Sequence, residues 1–333
     1  MSQQRKILIT GGMGLVGTAF VKRFARTDRV TVADRLDFGI SPEVEPLIHG
    51  GSVELLVTEL SRPSELHKRV GSGEFDAVIH LASLTHIPLC EAYPDLAYGA
   101  NVISVLNLLS GLPGRCKFVN FSSSATYLPE STLHEEKSSP LMPCDFYGWT
   151  KKHAEDLCEY YARKNQLTVL NIRLANAAGP GETNPKLLGT IFQQVQAGSR
   201  IIELGNLTPR RDFIHVDDIA WVIDELLQVW PVERGTVETY NVGTGYETIS
   251  VEELFNKIAA LLNGNIKLKS VQERRRKAER ELLALNVTKL RKVLPQYKPK
   301  RIDEWLPTLV KDPSLRIPDD LEGRILRGYH ASK

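Results

Sequence analysis

A doubly wound α/β fold on a mostly parallel sheet, followed by a smaller C-terminal α/β lobe, is the architecture that this 333-residue chain predicts. Three observations carry it. Short apolar runs alternate with helical stretches through the first half, the pattern of successive β-α-β units. The first run, Lys6–Thr10 (KILIT), is apolar without alternation, as expected of a strand buried on both faces. The turn after it, Thr10–Gly17, is rich in glycine where strand passes into helix.

The elements follow in order. An amphipathic stretch from Leu15 to about Ala25 reads as the first helix. Arg29–Ala33 and Val53–Thr58 read as the second and third strands. Asp76–Ala82 (DAVIHLA) is a fourth strand, with a long helix from Pro94 to Leu109 behind it. Lys117–Ser122 is a fifth, Asp145 to about Lys164 a helix, and Thr168–Arg173 a sixth. After Ala175 the pattern changes. Gly179-Pro180-Gly181 and Asn184-Pro185 punctuate a loop. Shorter elements then follow: helices at Lys186–Ala197, Val216–Val229 and Val251–Leu262, with strands at Arg200–Leu204 and Thr239–Val242. These predict residues 1–175 as a nucleotide-binding domain with returns from the C-terminal half. Residues 176–311 form an interleaved substrate lobe, and 312–333 a polar, proline-containing surface tail.

Composition bounds the function. Hydrophobic residues make up 42% and charged residues 25%, as in soluble globular proteins. Forty-two Lys and Arg against forty Asp and Glu leave a net charge of +2. That balance gives no support to a nucleic-acid or membrane-surface protein. Cys90, Cys116, Cys144 and Cys158 form no C-x-x-C pair, and no His cluster stands at zinc spacing, so no metal is expected. Four reduced thiols, no signal-peptide pattern and no apolar run of transmembrane length predict a cytoplasmic protein.

Glycines 11, 14 and 17 are spaced G-x-x-G-x-x-G. One suits a tight turn, one lets backbone approach a pyrophosphate, and one lets helix pack closely on sheet. The helix N-terminus offers free N–H groups to the phosphate. Asp34 ends the second strand, 17 residues beyond Gly17. A carboxylate there accepts from ribose hydroxyls and repels a 2′-phosphate, which favours NAD over NADP. Arg35 follows at once and offers the opposite reading, a grip on a 2′-phosphate.

Tyr147 and Lys151 form Y-x-x-x-K. Four residues apart on a helix they share a face. A nearby ammonium favours the phenolate, so the pair is a tunable acid/base for a sugar or alcohol hydroxyl. The fifth strand ends in Phe121-Ser122-Ser123-Ser124-Ala125-Thr126, where parallel sheets bind ligands. A hydroxyl there can hold the substrate oxygen. By themselves the serines read equally as a polar turn.

Together these features resemble the extended short-chain dehydrogenase/reductase family, in its NAD-dependent nucleotide-sugar epimerase and dehydratase group. The resemblance spans about residues 5–295. It rests on TGGMGLVG at Thr10–Gly17, His80-Leu81-Ala82-Ser83, Asn101, and the set Ser124, Tyr147 and Lys151. It rests also on Arg173–Pro180, the segment Arg210–Asp218, and Asn241–Gly245. The resemblance implies a Rossmann-type fold and bound NAD. The cofactor would be held by Gly11, Gly14, Leu15, Val16, Gly17, Asp34, Arg35, Glu59, Leu60, Leu81, Ala82, Ser83, Asn101, Tyr147 and Lys151. Catalysis would fall to Ser124, Tyr147 and Lys151. A nucleotide-diphosphate sugar would meet Thr85, Ser124, Ala125, Thr126, Asn176, Arg211 and Arg276. Arg211 would contact the diphosphate, because a guanidinium suits phosphate geometry. Arg276 stands in the charged run Gln272–Glu281, which reads nearly as well as a solvated helix face. The family often dimerises through a four-helix interface. The stretches Pro94–Leu109 and Asp145–Lys164 would supply it in a homodimer.

Departures from the family pattern narrow the reaction. The 4,6-dehydratases carry an acid just after the catalytic hydroxyl, and here Ala125 and Thr126 stand there. The SSSAT run resembles the 4-epimerases, which work through a transient 4-keto sugar. Tyr127-Leu128-Pro129 replaces the usual V-Y-G, so the loop beside the sugar is expected to differ. Glu59 replaces the usual aspartate after the third strand. The expected activity is therefore an NAD-dependent nucleotide-sugar 4-epimerase. A 4-keto-sugar reductase using NAD(P)H is the nearest alternative, supported by the run Arg276–Glu279 and by Gly205-Asn206-Leu207. A non-catalytic nucleotide sensor on the same fold is the other, and Tyr147 with Lys151 argue against it.

Overall fold

The computed structural model of the chain describes residues 4–275 and 280–331. Through the first half, elements alternate as β1 (Lys6–Thr10), α1 (Leu15–Phe24), β2 (Arg29–Asp34), α2 (Glu45–His49), β3 (Val53–Val57), α3 (Glu65–Gly71), β4 (Ala77–His80), α4 (Ile87–Ala92), α5 (Pro94–Tyr98), α6 (Ser104–Gly111), β5 (Lys117–Ser123), α7 (Phe146–Asn165) and β6 (Thr168–Leu174). The second half adds β7 (Asn176–Ala178), α8 (Leu187–Gln196), β8 (Ile201–Leu204), β9 (Arg210–Arg211), β10 (Phe213–His215), α9 (Val216–Val229), β11 (Thr236–Val242), β12 (Ile249–Ser250), α10 (Val251–Leu261), β13 (Lys267–Ser270), β14 (Leu282–Leu283), α11 (Thr288–Val293), α12 (Ile302–Lys311) and α13 (Leu321–Ala331).

Among the described residues, seven strands form one parallel sheet in the order β11-β6-β5-β4-β1-β2-β3. This is the expected Rossmann-type doubly wound fold. Strand β11 comes from the second half and returns to the main sheet beside β6. Successive residues of β1 serve opposite faces. Ile7 and Ile9 pack with Phe20 and Phe24 of α1 and with Ile219 and Val222 of α9. Leu8 packs with Val105 and Leu108 of α6 and with Ala154 and Cys158 of α7. Each such fully buried large side chain contributes roughly 1.5–3 kcal/mol. The second lobe has its own core, in which Ile191, Phe192, Ile202, Leu254, Phe255 and Trp305 meet.

The long helix expected over Pro94–Leu109 is broken. A π-helical turn, Gly99–Ile103, separates α5 from α6. Asn101 lies in that turn and spends its side chain on neighbouring elements, a use typical of such turns. The last stretch also departs from expectation. Residues 312–333 were expected as a surface tail, yet α13 buries Leu321 and Ile325 against Leu84, Leu89, Cys90 and Leu96. Leu326 and Tyr329 pack alongside them, but four apolar residues among many polar ones leave only a weak periodic signal. Among the described residues no helix is long and apolar enough to cross a membrane.

Candidate active site

Strand order reverses at β1, whose neighbours β2 and β4 lead away to opposite edges. The crevice at the strands' C-terminal ends is where such sheets take ligands. The loop out of β1 is closely packed at Gly11 and Gly17. Gly11 has φ 70°, and a Cβ on it would stand 2.7 Å from the Ala82 nitrogen. A Cβ on Gly17 would stand 2.2 Å from the Gly11 carbonyl oxygen. The first turn of α1 therefore lies tight on the loop and presents its free amides to the crevice, a cradle that fits a pyrophosphate. Asp34 at the end of β2 accepts from the backbone N–H of Met13 (2.9 Å) and of Leu36 (2.8 Å). Burial raises its pKa, while those bonds and the cations Arg35 and Arg316 oppose the rise.

Arg35 is gripped by Glu59 at 2.8 Å and by Asp37. Its charge is thus met by two carboxylates, with Asp34 adding a third negative group nearby. A 2′-phosphate would enter a surplus of negative charge, so the pocket fits NAD. The Glu59 that replaces the usual aspartate also accepts from the Ser61 N–H at 2.9 Å.

A cavity of about 650 Å³ runs from this cradle to the second lobe, with Gly14, Asp34, Ser83, Tyr147, Asn176 and Arg211 spread along its wall. Asp145 starts α7 by accepting from the Gly148 N–H at 2.7 Å, an N-cap that fixes where Tyr147 and Lys151 fall. Lys151 donates to the Phe121 carbonyl at 2.9 Å and lies 5.9 Å from the Tyr147 ring centroid. Burial pushes the Lys151 pKa down to about 8, partly countered by Cys90 and reinforced by Lys186. Burial pushes the Tyr147 phenol well above its ordinary value, a hydrogen bond with the Ser123 side chain and the Arg280 cation pull it back, and Cys90 and Asp145 add to the rise.

The structure revises several expected placements. The Ser123 side chain bonds the Tyr147 phenol, beside Ser124, the serine expected to hold the substrate oxygen. Ser124 opens a tight 3-10 turn and still lines the cavity with Ala125. Thr126 was expected at the substrate, but it is fully buried and donates to the Ser123 carbonyl at 2.8 Å, outside the cavity lining. Asn101 was expected at the cofactor. It instead clasps Leu84, accepting from its N–H at 2.7 Å and donating to its carbonyl at 3.0 Å, and donates to Thr150 at 2.9 Å. It pins the loop after β4 to α7, behind the cavity lining. Leu15, Val16, Leu60, Leu81, Ala82, Thr85 and the other expected residues line the cavity. Arg276 lies outside the described residues. Tyr127 of the altered V-Y-G position turns inward, stacks on His134 at 4.6 Å and donates to Asn241 at 2.7 Å.

A model of the NAD dependent epimerase/dehydratase family matches residues 7–243. The chain belongs to this family. It is an NAD-dependent enzyme, as members of this family are. One relative is a UDP-glucose 4-epimerase from Oryza sativa subsp. japonica, 30% identical over 276 residues, which cover 74% of this chain and 67% of the relative. Among solved structures, a UDP-glucuronic acid 4-epimerase from Bacillus cereus superposes with TM-score 0.81 at 21% identity, covering 92% of this chain and 99% of that one. A dTDP-glucose 4,6-dehydratase from Bacillus anthracis superposes with TM-score 0.78 at 23% identity, covering 92% and 96%. The epimerase/dehydratase fold thus serves more than one reaction, and side chains must choose between them.

Sequence reasoning missed several residues of this family member's cavity: Glu182, Lys186, Arg274 and Arg280. Arg280 is 7% exposed and touches both the turn after β5 and the start of α7. It hides in the charged run that reads as a solvated face. The two-residue strand β14 that follows it is too short to show any periodicity.

Proposed function

We propose that the chain is an NAD-dependent nucleotide-sugar 4-epimerase acting through a transient 4-keto sugar. The observation that carries this reading is one continuous cavity joining the glycine cradle, the Ser123–Tyr147–Lys151 cluster and Arg211, with no carboxylate in the turn after Ser124. The relatives' UDP-sugar names support uridine as the base. Tyr147 accepts the proton of the sugar 4-hydroxyl and later returns it. Lys151, a cation beside the ring, favours the phenolate that this requires. Ser123, through its bond to Tyr147, and Ser124, by family position, flank the sugar oxygen. Arg211 and Asn176 hold the diphosphate end while the sugar turns in the cavity. Bound NAD supplies the acceptor and donor of the C4 hydride. The paired Arg35 disfavours the NADPH-consuming reductase alternative.

The reading extends to a cytoplasmic homodimer. Tyr98 of α5 and Trp149 and Tyr160 of α7 are exposed large side chains on the helices expected at the interface. The four cysteines, free in the structure, suit a reducing compartment. The deciding experiment incubates purified protein with UDP-galactose and no added cofactor. UDP-glucose should form. No conversion of any UDP-sugar, together with NADPH consumption on a 4-keto sugar nucleotide, would replace the epimerase by the reductase.

A further inference from the structure

We propose that Arg280 is a positioning residue that ties the substrate lobe to the catalytic helix and fixes Tyr147 against the turn after β5. Its guanidinium joins two elements. One nitrogen donates to Asp145 Oδ2 at 2.8 Å and the other terminal nitrogen donates to the Ala125 carbonyl at 2.9 Å. Asp145 is the N-cap of α7, two residues before Tyr147. Ala125 follows Ser124 in the turn that holds the serine hydroxyls. The two elements are in direct contact as well, since a Cβ on Gly148 would stand 2.5 Å from the Ala125 oxygen. Arg280 therefore locks a joint that is already close-packed, and Tyr147 sits in that joint.

The other end of the tie lies in the second lobe. Arg280 stands two residues before β14 (Leu282–Leu283), which pairs with β9, and Arg211 of β9 donates to the Arg280 carbonyl at 2.8 Å. The arginine assigned to the diphosphate thus grips the backbone of the arginine that grips the catalytic helix. An ordinary surface ion pair would not behave this way, because both partners are almost fully buried: 7% and 8% of the Arg280 and Asp145 side chains are exposed. Among the described residues the Arg280 Nε is buried with no hydrogen-bond partner. The groups around the Tyr147 phenol are Ser123 of β5, Cys90 of α4, Asp145 and Lys151 around its own helix, and Arg280, with Tyr329 of α13 in the apolar cluster alongside. Arg280 and Lys151 are the cations of that set.

The proposal rests on the epimerase reading only for its turnover assay. Arg280→Gln should lower kcat by roughly 10–100-fold, the scale of a small misplacement of reacting groups, with NAD content and KM little changed. Arg280→Lys keeps the charge but cannot reach both partners as a planar fork does, so its loss should be intermediate. Should the Gln variant fail to fold, the Lys variant carries the test through the same kcat-against-KM split. A second readout needs no substrate: the phenolate absorbance of NAD-loaded protein, taken as the difference from Tyr147→Phe. Arg280→Gln should move that titration to higher pH, and Arg280→Lys should move it less. Wild-type protein inert toward UDP-sugars would sink the epimerase reading and leave the phenolate titration to decide this one. Unchanged kcat and an unmoved titration, whatever the melting temperature does, would show that Arg280 only holds the lobes together.

Discussion

Two regions meet the cofactor crevice from opposite ends of the chain. The glycine loop, Thr10–Gly17, does its work through neighbours in sequence: the Gly17 position is shut by the Gly11 oxygen six residues away. The last fifty or so residues act through single side chains over long distances. Arg280 reaches Ala125, and Arg316 donates to the Met13 carbonyl at 2.8 Å and the Gly39 carbonyl at 3.0 Å. The first region is a contiguous pattern with a physical reason at each position. The second is a set of isolated contacts that exist only because the fold has already brought distant backbone together.

The largest effect should come from the contiguous side. Gly17→Ala places a carbon 2.2 Å from one backbone atom and 2.6 Å from another, and neither can swing aside. The loop or α1 must shift, at a cost of at least ~1–3 kcal/mol. We expect a lower melting temperature and protein that purifies without NAD. Normal NAD content would mean that the loop is looser than its contacts indicate. Next comes Tyr147→Phe, which should keep fold and NAD and lose at least ~10²-fold in turnover. Near-normal turnover would remove the phenol from the chemistry.

This contrast explains what was legible in the sequence. The parallel sheet, the cradle, Asp34 and the Tyr147–Lys151 pair were readable, because each lies on a periodic element or a fixed spacing. The contact of Ser123 with the Tyr147 phenol was not, because spacing alone does not say which hydroxyl at the end of β5 faces α7. The bonds of Asn101 to Leu84 and Thr150 were not legible either, because they form from within a π turn that the helical spacing does not signal. Arg35 could be read either way until Glu59 and Asp37 were seen to hold it. Helix α13 was missed because its apolar residues, Leu321, Ile325, Leu326 and Tyr329, stand among charged ones and leave only a weak period. In each case the missing information is a partner far away in sequence.

Arg211 tests whether the second region does more than hold shape. Each charge-assisted bond from a guanidinium to phosphate is worth about 1.5–3 kcal/mol, so Arg211→Ala should weaken UDP-sugar affinity by at least ~10-fold. NAD content should hold, because the cradle is separate. Loss of the bond to the Arg280 carbonyl should also lower kcat, which simple loss of a phosphate contact would not do. Unchanged affinity on calorimetry would return Arg211 to a structural role and weaken the sugar-nucleotide assignment with it.

The smallest effect, and the sharpest test of the far C-terminus, belongs to Arg316. Its backbone N–H donates to the Glu182 carbonyl at 2.8 Å, so the segment before α13 is fastened to the second lobe. Its guanidinium meets Met13 in the glycine loop and Phe38 and Gly39 beyond β2. Burial lowers the Arg316 pKa, and the Asp34 and Glu43 carboxylates oppose that shift. The arginine therefore ties the glycine loop to the turn beyond β2, close enough to Asp34 for their charges to interact. Three bonds to carbonyls, at about 1 kcal/mol net each and not all independent, allow a few-fold to roughly 10-fold faster NAD release in Arg316→Ala. Stopped-flow loss of bound NAD into excess scavenger measures this directly, without any sugar. Arg316→Lys should recover little, since one ammonium cannot span three carbonyls on two loops. An unchanged release rate, with α13 still docked by protease resistance, would reduce the Arg316 tie to a packing contact with no part in holding the cofactor.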